Sequence, residues 1–399
     1  MRTFLFSLLF LNIGFFNLPQ VRSQNIQDST LRLKNGVGFY PSDKSFSMNI
    51  HFRIQSRVGL TSTSDKDFTI SETEAQVKRM RLKLDGFIIN QKLTYLFHLG
   101  FTRYDMDWDK TSYPGIIRDA LVSYRFNKNF QLSFGQAKLP GSRQKVISSG
   151  SQQFIDRSVT SNTYGSDRDF GIFVNSNFDI SKTILNLKGA ITTGDGRNAG
   201  NTNNGYAYSG RVEFLPFGSF TAYGDYFEGD LKREEKPKLS LGAAYSYNEK
   251  ALKSGGQYGN LLYSPVNIAS YYYDLVFKYH GFALSSEYIS RETNSDTYTV
   301  NSSNDSSYVN TGNGYFFQGS YIFKKNWEIA GRYSTVNPDP EIGKKEPKIE
   351  YYTIGVNRYL SGHKVKLQAN CSYKNQEYLN NTIPASAKWI LQFQVELGF

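Results

Sequence analysis

Five basic residues occupy alternate positions in two consecutive segments of the sequence, 46–60 and 74–89. They are Arg53, Arg57, Arg79, Arg81 and Lys83. If the two segments are strands that pair antiparallel, these cations share one patch of wall. Like charges repel, and such a cluster is tolerable where water and a transient anion share the field. Because arginine can donate two parallel hydrogen bonds to phosphate or carboxylate, the pattern predicts an anion-binding surface.

Catalytic chemistry finds little support in the sequence. The four histidines are scattered and none belongs to an HExxH motif, and no G-x-S-x-G motif is present. The single cysteine, Cys371, excludes a disulfide framework within the chain and a Cys-rich zinc site. We therefore expect no enzymatic activity, no metal site, no cofactor and no nucleic-acid partner.

The elements that must position the cations are visible in the alternation of apolar and polar residues. In residues 46–60, seven of the eight even positions are apolar and none of the odd positions is. A period of two over ~9–11 residues is typical of a strand that crosses a membrane at a tilt. Further segments of this kind lie at 80–84, 93–101, 120–126, 130–134, 170–178, 184–192, 206–214, 219–227, 239–247, 271–280, 282–290, 315–323, 327–334, 350–359, 365–373 and 389–399.

The composition agrees with a membrane barrel and disagrees with other classes. The 399 residues are 39% apolar and 16% aromatic, and the mean hydropathy is −0.48. A disordered chain would be poor in aromatics, and a soluble globular domain usually has ~45–50% apolar residues. In a transmembrane barrel only every second strand residue is apolar, and aromatics collect at the two interfaces. A soluble β-sandwich or propeller is the alternative, but no propeller-length repeat recurs.

Three regions follow from these patterns. Residues 1–23 have a positive start, an apolar stretch and a small residue at a plausible cleavage point, which predicts a signal peptide. Its removal leaves 44 basic against 35 acidic residues, a formal charge of +9. We expect 24–45 to be a short periplasmic N-terminal segment and 46–399 to be an antiparallel barrel in contact with outer-membrane lipid.

The sequence pattern leaves two strand numbers open, because seventeen segments alternate and a barrel with both ends in the periplasm needs an even number. The direction of the chain fails to match around 239–267. Either 239–247 belongs to a long loop, which gives 16 strands, or a further strand lies within 250–266, which gives 18.

A second basic cluster lies in the long connection 139–168 or directly before it. Its members are Lys138, Arg143 and Lys145. The connection is too long for a simple turn. It either folds inward and narrows the lumen or lies on the outer surface, and the pattern alone does not choose between them.

Several motifs resemble those of the phosphate-selective porin O and P family of bacterial outer membranes. They are KRMRLKLDG at 78–86, IRDA at 117–120, GQAKLP at 135–140, FIDRS at 154–158 and DRDFG at 167–171. The resemblance implies a 16-stranded trimeric porin with an inward-folded third loop and a basic constriction.

Together, the cations and the resemblance favour a passive outer-membrane channel for small anions, with phosphate preferred. The eight basic residues named above would line its water-filled lumen. The alternative is a general or surface-binding outer-membrane barrel without phosphate selectivity. An outer-membrane lipase is disfavoured, because no nucleophile with a histidine partner stands out.

Overall fold

The computed structural model describes residues 29–32, 37–41, 45–106, 115–200, 205–379 and 383–399. The predicted signal peptide, 1–23, lies outside them. The strands β1–β20 are, in chain order, Ser29–Arg32, Val37–Pro41, Phe46–Ser62, Ile70–Ile88, Asn90–Gly100, Ile117–Arg125, Phe130–Lys138, Arg168–Ile180, Thr183–Thr192, Ala207–Leu215, Lys238–Lys253, Leu261–Tyr279, Phe282–Thr293, Tyr298–Val300, Ser306–Tyr308, Gly312–Ile322, Trp327–Pro338, Lys348–Ser361, Val365–Glu377 and Ser386–Gly398. Two short helices, α1 and α2, span Arg143–Val146 and Val159–Tyr164, and 3-10 turns span Ser149–Ser151 and Thr221–Tyr226.

Sixteen of the described strands close into one antiparallel barrel. Strands β3–β13 and β16–β20 each pair with the next, and β20 pairs back with β3. The hairpin β1–β2 pairs with the first residues of β3, beyond the point where β20 ends. The all-β barrel is thus confirmed, and its strand number is 16 rather than 18. Among the described helices, none is long and apolar enough to span a bilayer.

The alternation of side chains explains the two faces of the wall. Val58 and Phe393 are direct cross-strand partners and each is 47% exposed on the outside. The adjacent partners Arg57 and Gln394 are buried in the interior. Because the side-chain period of a strand is two, one register places the apolar set outward and the polar set inward.

One of the seventeen alternating segments, 219–227, is not a strand. It forms a 3-10 turn in the connection 216–237 between β10 and β11, and both 239–247 and 261–279 belong to strands. Phe220 packs inside the barrel with Leu215 and Val276. Phe220 therefore belongs to an alternating pattern like that of a lipid-facing strand, although its ring makes an interior contact. Both predicted ways to reach an even number were therefore wrong, although the number 16 is correct. Residues 239–247 belong to β11, and 250–266 contain the end of β11 and the start of β12 rather than a further strand.

The long connection after β7, residues 139–167, folds into the lumen, as the resemblance implied. We call it the inward loop. Tyr164 Oη donates to the carbonyl of Thr311 at 3.2 Å, and Thr160 Oγ1 donates to that of Thr335 at 2.9 Å. These contacts attach α2 to the β16–β17 side of the barrel. The loop therefore crosses the interior from β7 to the opposite wall.

Candidate functional site: a cationic constriction

The middle of the inward loop is held across the lumen by basic side chains of the wall. Ser149 Oγ accepts a hydrogen bond from Arg53 at 2.9 Å and another from Arg81 at 3.0 Å. From β19, which is separated from β3 only by β20, Lys366 Nζ donates to the carbonyls of Gly150 and Gln152 at 3.0 and 2.7 Å. The middle of the loop is therefore fixed to the part of the wall that β19, β20, β3 and β4 form.

The connection 216–237 supports the loop from the short-turn end of the barrel. The backbone N–H of Glu228 donates to the carbonyl of Ser151 at 2.9 Å, and Gln144 Nε2 donates to the Glu228 carboxylate at 2.9 Å. Lys278 of β12 holds the connection in turn by donating to the carbonyls of Gly224 and Phe227, both at 2.7 Å. Two separate chain segments thus meet inside the barrel and reduce its open section.

A cavity of about 330 Å³ remains on the long-loop side of this constriction. We call it the cationic cavity. Nine of its lining side chains are basic and one, Asp167, is acidic. The basic residues are Arg79, Arg81, Arg103, Arg118, Lys138, Lys145, Arg157, Arg168 and Arg197. Such an excess of one sign, inside a low-dielectric wall, produces a strong positive potential.

Some of these cations are hydrogen-bonded to neutral groups. Lys138 Nζ donates to the carbonyl of Val146 at 2.8 Å, and Arg157 donates to those of Gln144 and Ile147 at 2.8 and 2.9 Å. Burial and the nearby charge of Arg79 lower the pKa of Arg157 to about 10, so it stays protonated at neutral pH. Its charge therefore contributes to the field of the cavity.

Arg79 has similar surroundings. Its Nη1 donates to the Gln55 side chain at 2.9 Å, and its guanidinium lies 5.1 Å from the ring of Tyr104. Its buried Nε has no hydrogen-bond partner among the described residues. The charge of Arg79 is the largest cause that lowers the pKa of the Tyr104 hydroxyl. These contacts leave Arg79 with donor capacity next to the cavity.

Two acids behind the lining, Asp119 and Asp105, neutralise part of the cluster. Asp119 lies 2.8 Å from Arg168. Asp105 has two arginine partners. Its carboxylate binds Arg81 at 2.5 and 2.9 Å and Arg118 at 3.3 Å. Burial opposes the charge of Asp105, but the hydrogen bonds from Arg81, together with the charges of Arg81, Arg118 and Arg79, outweigh burial and lower its pKa to about 2. Asp105 therefore stays ionised and holds both arginines at the edge of the cavity.

A second cavity, of about 340 Å³, lies on the short-turn side of residues 148–151. Its basic lining residues are Arg53, Arg81, Lys83 and Lys364, together with His51, His98 and His363. Arg81 borders both cavities. Basic side chains therefore line the lumen on both sides of the constriction.

The structure places the predicted site residues in four different surroundings, of which that of Arg143 is described separately below. Arg79, Arg81, Lys138 and Lys145 line the cationic cavity, and Arg53 and Lys83 line the second one. Arg57 faces the interior but is bound to Glu74 at 3.1 Å and to Asp156. The predicted single patch on β3–β4 is thus divided, because a bulge after Gln55 shifts the register and because acids of the loops bind some of the cations.

Arg143, also in the predicted set, does not line the cationic cavity. It is buried against β10–β12, where Nε lies 2.7 Å from Asp274 and a second nitrogen lies 3.5 Å from Glu213. Although burial opposes its charge, Asp274 and Glu213 raise the pKa of Arg143 well above its usual value. Arg143 anchors the inward loop to the wall.

Other cavity residues were not singled out from the sequence. Arg118, Arg157 and Arg168 lie in segments that resemble the porin family, so the motifs contained them although charge spacing did not. Arg103 and Arg197 lie in outer connections. Nothing local in the sequence indicates that these connections reach the same cavity.

Comparison with known proteins decides the family. The model of the phosphate-selective porin O and P family matches residues 48–399. The chain belongs to this family. It is accordingly an outer-membrane porin, a passive channel rather than an enzyme, and the short turns of its barrel face the periplasm. A comparison with curated protein sequences finds no match.

Solved porin structures share the fold at low sequence identity. The outer-membrane channel DcaP of Acinetobacter baumannii is 13% identical, with a TM-score of 0.55 over 92% of this chain and 100% of that one. OmpT of Vibrio cholerae, in its trimer form, gives 9% identity and a TM-score of 0.52 over 89% and 100%. OmpF of Salmonella typhi, in complex with daunomycin, gives 11% and 0.52 over 88% and 98%. These likenesses concern the architecture.

Proposed function

We propose that this porin is a water-filled channel that prefers small anions, phosphate first. The observation that carries the proposal is the cationic cavity, with nine basic lining residues and one acid. A positive interior raises the local concentration of anions, and Arg and Lys donors replace part of their hydration shell. Several weak sites in succession would let an anion both enter and leave.

The test of anion preference is the double variant Arg79→Ala/Arg81→Ala in planar bilayers. Each cation near the path contributes ~1–4 kcal/mol to the interaction with an anion. We expect the ratio of chloride to potassium permeability to fall by about tenfold, with reversal potentials in a KCl gradient shifting toward the cation value. The matched control is Lys324→Ala/Lys325→Ala, which removes two exposed cations from a periplasmic turn.

Two results would contradict the proposal. Unchanged selectivity in the Arg79/Arg81 variant would remove these residues from the permeation path. A purified protein that gives no conductance steps would favour the alternative, a surface-binding barrel.

Preference for phosphate needs its own measurement. Single-channel currents in KCl, titrated with inorganic phosphate, should fall at low phosphate concentration because phosphate occupies the cationic cavity longer than chloride does. Purely ohmic behaviour across the titration would reduce the protein to a general pore.

We also propose that the porin is a homotrimer whose exposed apolar belt contacts outer-membrane lipid. Support comes from the family and from the trimer form of the Vibrio cholerae protein. Light scattering of the detergent-solubilised protein, corrected for detergent, should give three times the mass of one chain. A monomer mass would contradict this assembly.

A further inference from the structure

A cavity of different chemistry adjoins the cationic cavity on the outer side of the constriction. Its volume is about 200 Å³, and Arg157 and Asn162 line both cavities. Its wall consists of β17–β20, on the side of the lumen away from β5–β8. We call it the polar cavity. The outer vestibule of this porin is therefore asymmetric.

Uncharged hydrogen-bonding groups dominate the polar cavity. The hydroxyls of Thr353 and Ser372 bond to each other at 2.9 Å. Each hydroxyl has one donor and two acceptor positions, so the pair retains a donor and several acceptors for a solute. The side chains of Asn370, Gln392 and Tyr351 complete this lining. Tyr351 adds an apolar ring face next to a polar tip.

The polar cavity has three charged lining residues, the acid Asp156 and the bases Arg157 and Arg332. Asp156 accepts from Arg57 and, at 3.2 Å, from Gln392, and its backbone carbonyl accepts from Arg332 at 3.0 Å. The buried Nε of Arg332 has no hydrogen-bond partner among the described residues. A carboxylate and two guanidiniums among several amides and hydroxyls suit neutral hydroxyl groups, which both accept and donate.

An inorganic anion gains less in the polar cavity than in the cationic cavity, because one acid faces two basic residues in the first and nine in the second. The Asp156 carboxylate repels it, whereas the adjoining cationic cavity attracts it. A solute with a charged end and a hydroxylated end would use both cavities at once. The shared residue Arg157 lies where those two ends would join.

We propose that the preferred solutes of this porin are hydroxylated phosphate monoesters of the sugar monophosphate class. The phosphate end is held by Lys145, Arg157 and their neighbours in the cationic cavity, and the hydroxyls occupy the polar cavity. This inference rests on the anion-channel function proposed above and names its solute class.

The experiment compares three probes on the purified full-length porin in planar bilayers. Glucose 6-phosphate carries both ends, cyclohexyl phosphate carries a similar ring and charge without hydroxyls, and glucose carries hydroxyls without charge. We measure the concentration of each that halves the KCl current. We expect glucose 6-phosphate to block at about tenfold lower concentration than cyclohexyl phosphate, the factor for one or two additional hydrogen bonds. Glucose should block weakest.

A paired variant tests the position of the hydroxyls. Thr353→Val/Ser372→Ala removes both partners of the hydroxyl pair, so no buried group loses its only partner. We expect it to abolish most of the difference between glucose 6-phosphate and cyclohexyl phosphate. The matched control is Ser209→Ala/Ser246→Ala, which removes another cross-strand hydroxyl pair, 2.8 Å apart, from a different wall. In contrast, Lys145→Gln should weaken block by both phosphates by the same factor.

The outcomes separate the two proposals. Equal block by the two phosphate esters in the unchanged porin overturns the sugar monophosphate inference and leaves the anion channel standing. A difference that persists in Thr353→Val/Ser372→Ala overturns the placement of the hydroxyls in the polar cavity. If no phosphate compound blocks and the reversal potential favours cations, the anion-channel function itself fails.

Discussion

The wall of β3–β7 and the wall of β10–β12 both carry buried arginines, but the two walls differ in their acids. At the second wall, Arg211 of β10, Lys188 of the neighbouring β9 and Arg143 of the inward loop face Glu213, Asp274 and Asp225, with closest approaches between 2.6 and 3.7 Å. Around the cationic cavity nine basic residues face one lining acid, with Asp105 beside Arg81 and Arg118 and with Asp119 beside Arg168 at its edge. Arginine has therefore two roles in one lumen.

The number of nearby carboxylates decides between these roles. Where acids match cations, the pairs bind the inward loop to the wall and leave little net field. Where backbone carbonyls and amides replace the acids, the hydrogen bonds are satisfied but the charge is not neutralised. The second arrangement can attract an anion, and the first cannot.

The largest expected effect is that of Arg143→Ala on stability. The change leaves Asp274 and Glu213 buried with fewer partners, and breaking a buried ion pair in this way costs ~3–5 kcal/mol. We expect the free energy of unfolding in urea, measured in lipid vesicles by tryptophan fluorescence, to fall by about that amount.

Arg157→Ala is the matched control on the same loop. Since Arg157 donates to carbonyls, its loss should cost less, ~1–3 kcal/mol, but should lower the anion permeability ratio. If Arg143→Ala instead kept full stability and changed selectivity, the distinction between the two walls would be lost.

An intermediate effect is expected from Asp105→Asn. The change preserves shape but adds one net positive charge beside Arg81 and Arg118. An interaction of ~1 kcal/mol with a bound anion corresponds to about fivefold tighter phosphate block of the KCl current. The control is Asp179→Asn, which removes an exposed acid at the periplasmic end of β8. Weaker block in Asp105→Asn would contradict the assigned role of Asp105.

The pH dependence sharpens this result. Because Asp105 has a lowered pKa of about 2, its stabilising charge is present above the unfolded value and is lost only as pH falls through about 2. The difference between Asp105→Asn and the unchanged porin should therefore be constant from pH 5 to pH 8. A difference that disappeared within this range would show that Asp105 is protonated there.

The smallest effect is expected from Lys83→Gln. Lys83 is half-buried and lies 2.8 Å from Asp85, and ion pairs that remain accessible to water contribute ~0–1 kcal/mol. We expect less than about a twofold change in the permeability ratio. A change as large as that of Arg79→Ala/Arg81→Ala would place the selectivity filter at the periplasmic mouth instead.

The faces of the strands were predictable from the sequence because a period of two is a local property. Arg53 and Arg81 are direct partners in the β3–β4 ladder. This agrees with the prediction that both side chains face inward, because directly opposed residues of paired strands lie on the same face. The number of strands was harder to predict from the sequence. Residues 219–227 alternate like a strand, and only the interior contacts of Phe220 and the acids that follow it reveal a folded-in connection.

The role of each cation could not be predicted, because it depends on partners far away in the chain. Arg143 looks like Lys145 in the sequence, but Asp274 lies 131 residues beyond Arg143 and meets it only through the barrel closure. The motifs around Arg118, Arg157 and Arg168 carried more information than charge spacing did. The path of the inward loop likewise depends on contacts such as Arg81 with Ser149.

The position of Arg81 has a consequence for the speed of transit. A solute that moves between two separate binding sites normally loses its contacts with the first site before it makes contacts with the second. The energy barrier to transit lies at this unbound position. Here one guanidinium borders both cavities. An anion that moves between the two cavities would stay close to the Arg81 charge during the whole step. Tight binding of the anion and its rapid release are therefore compatible.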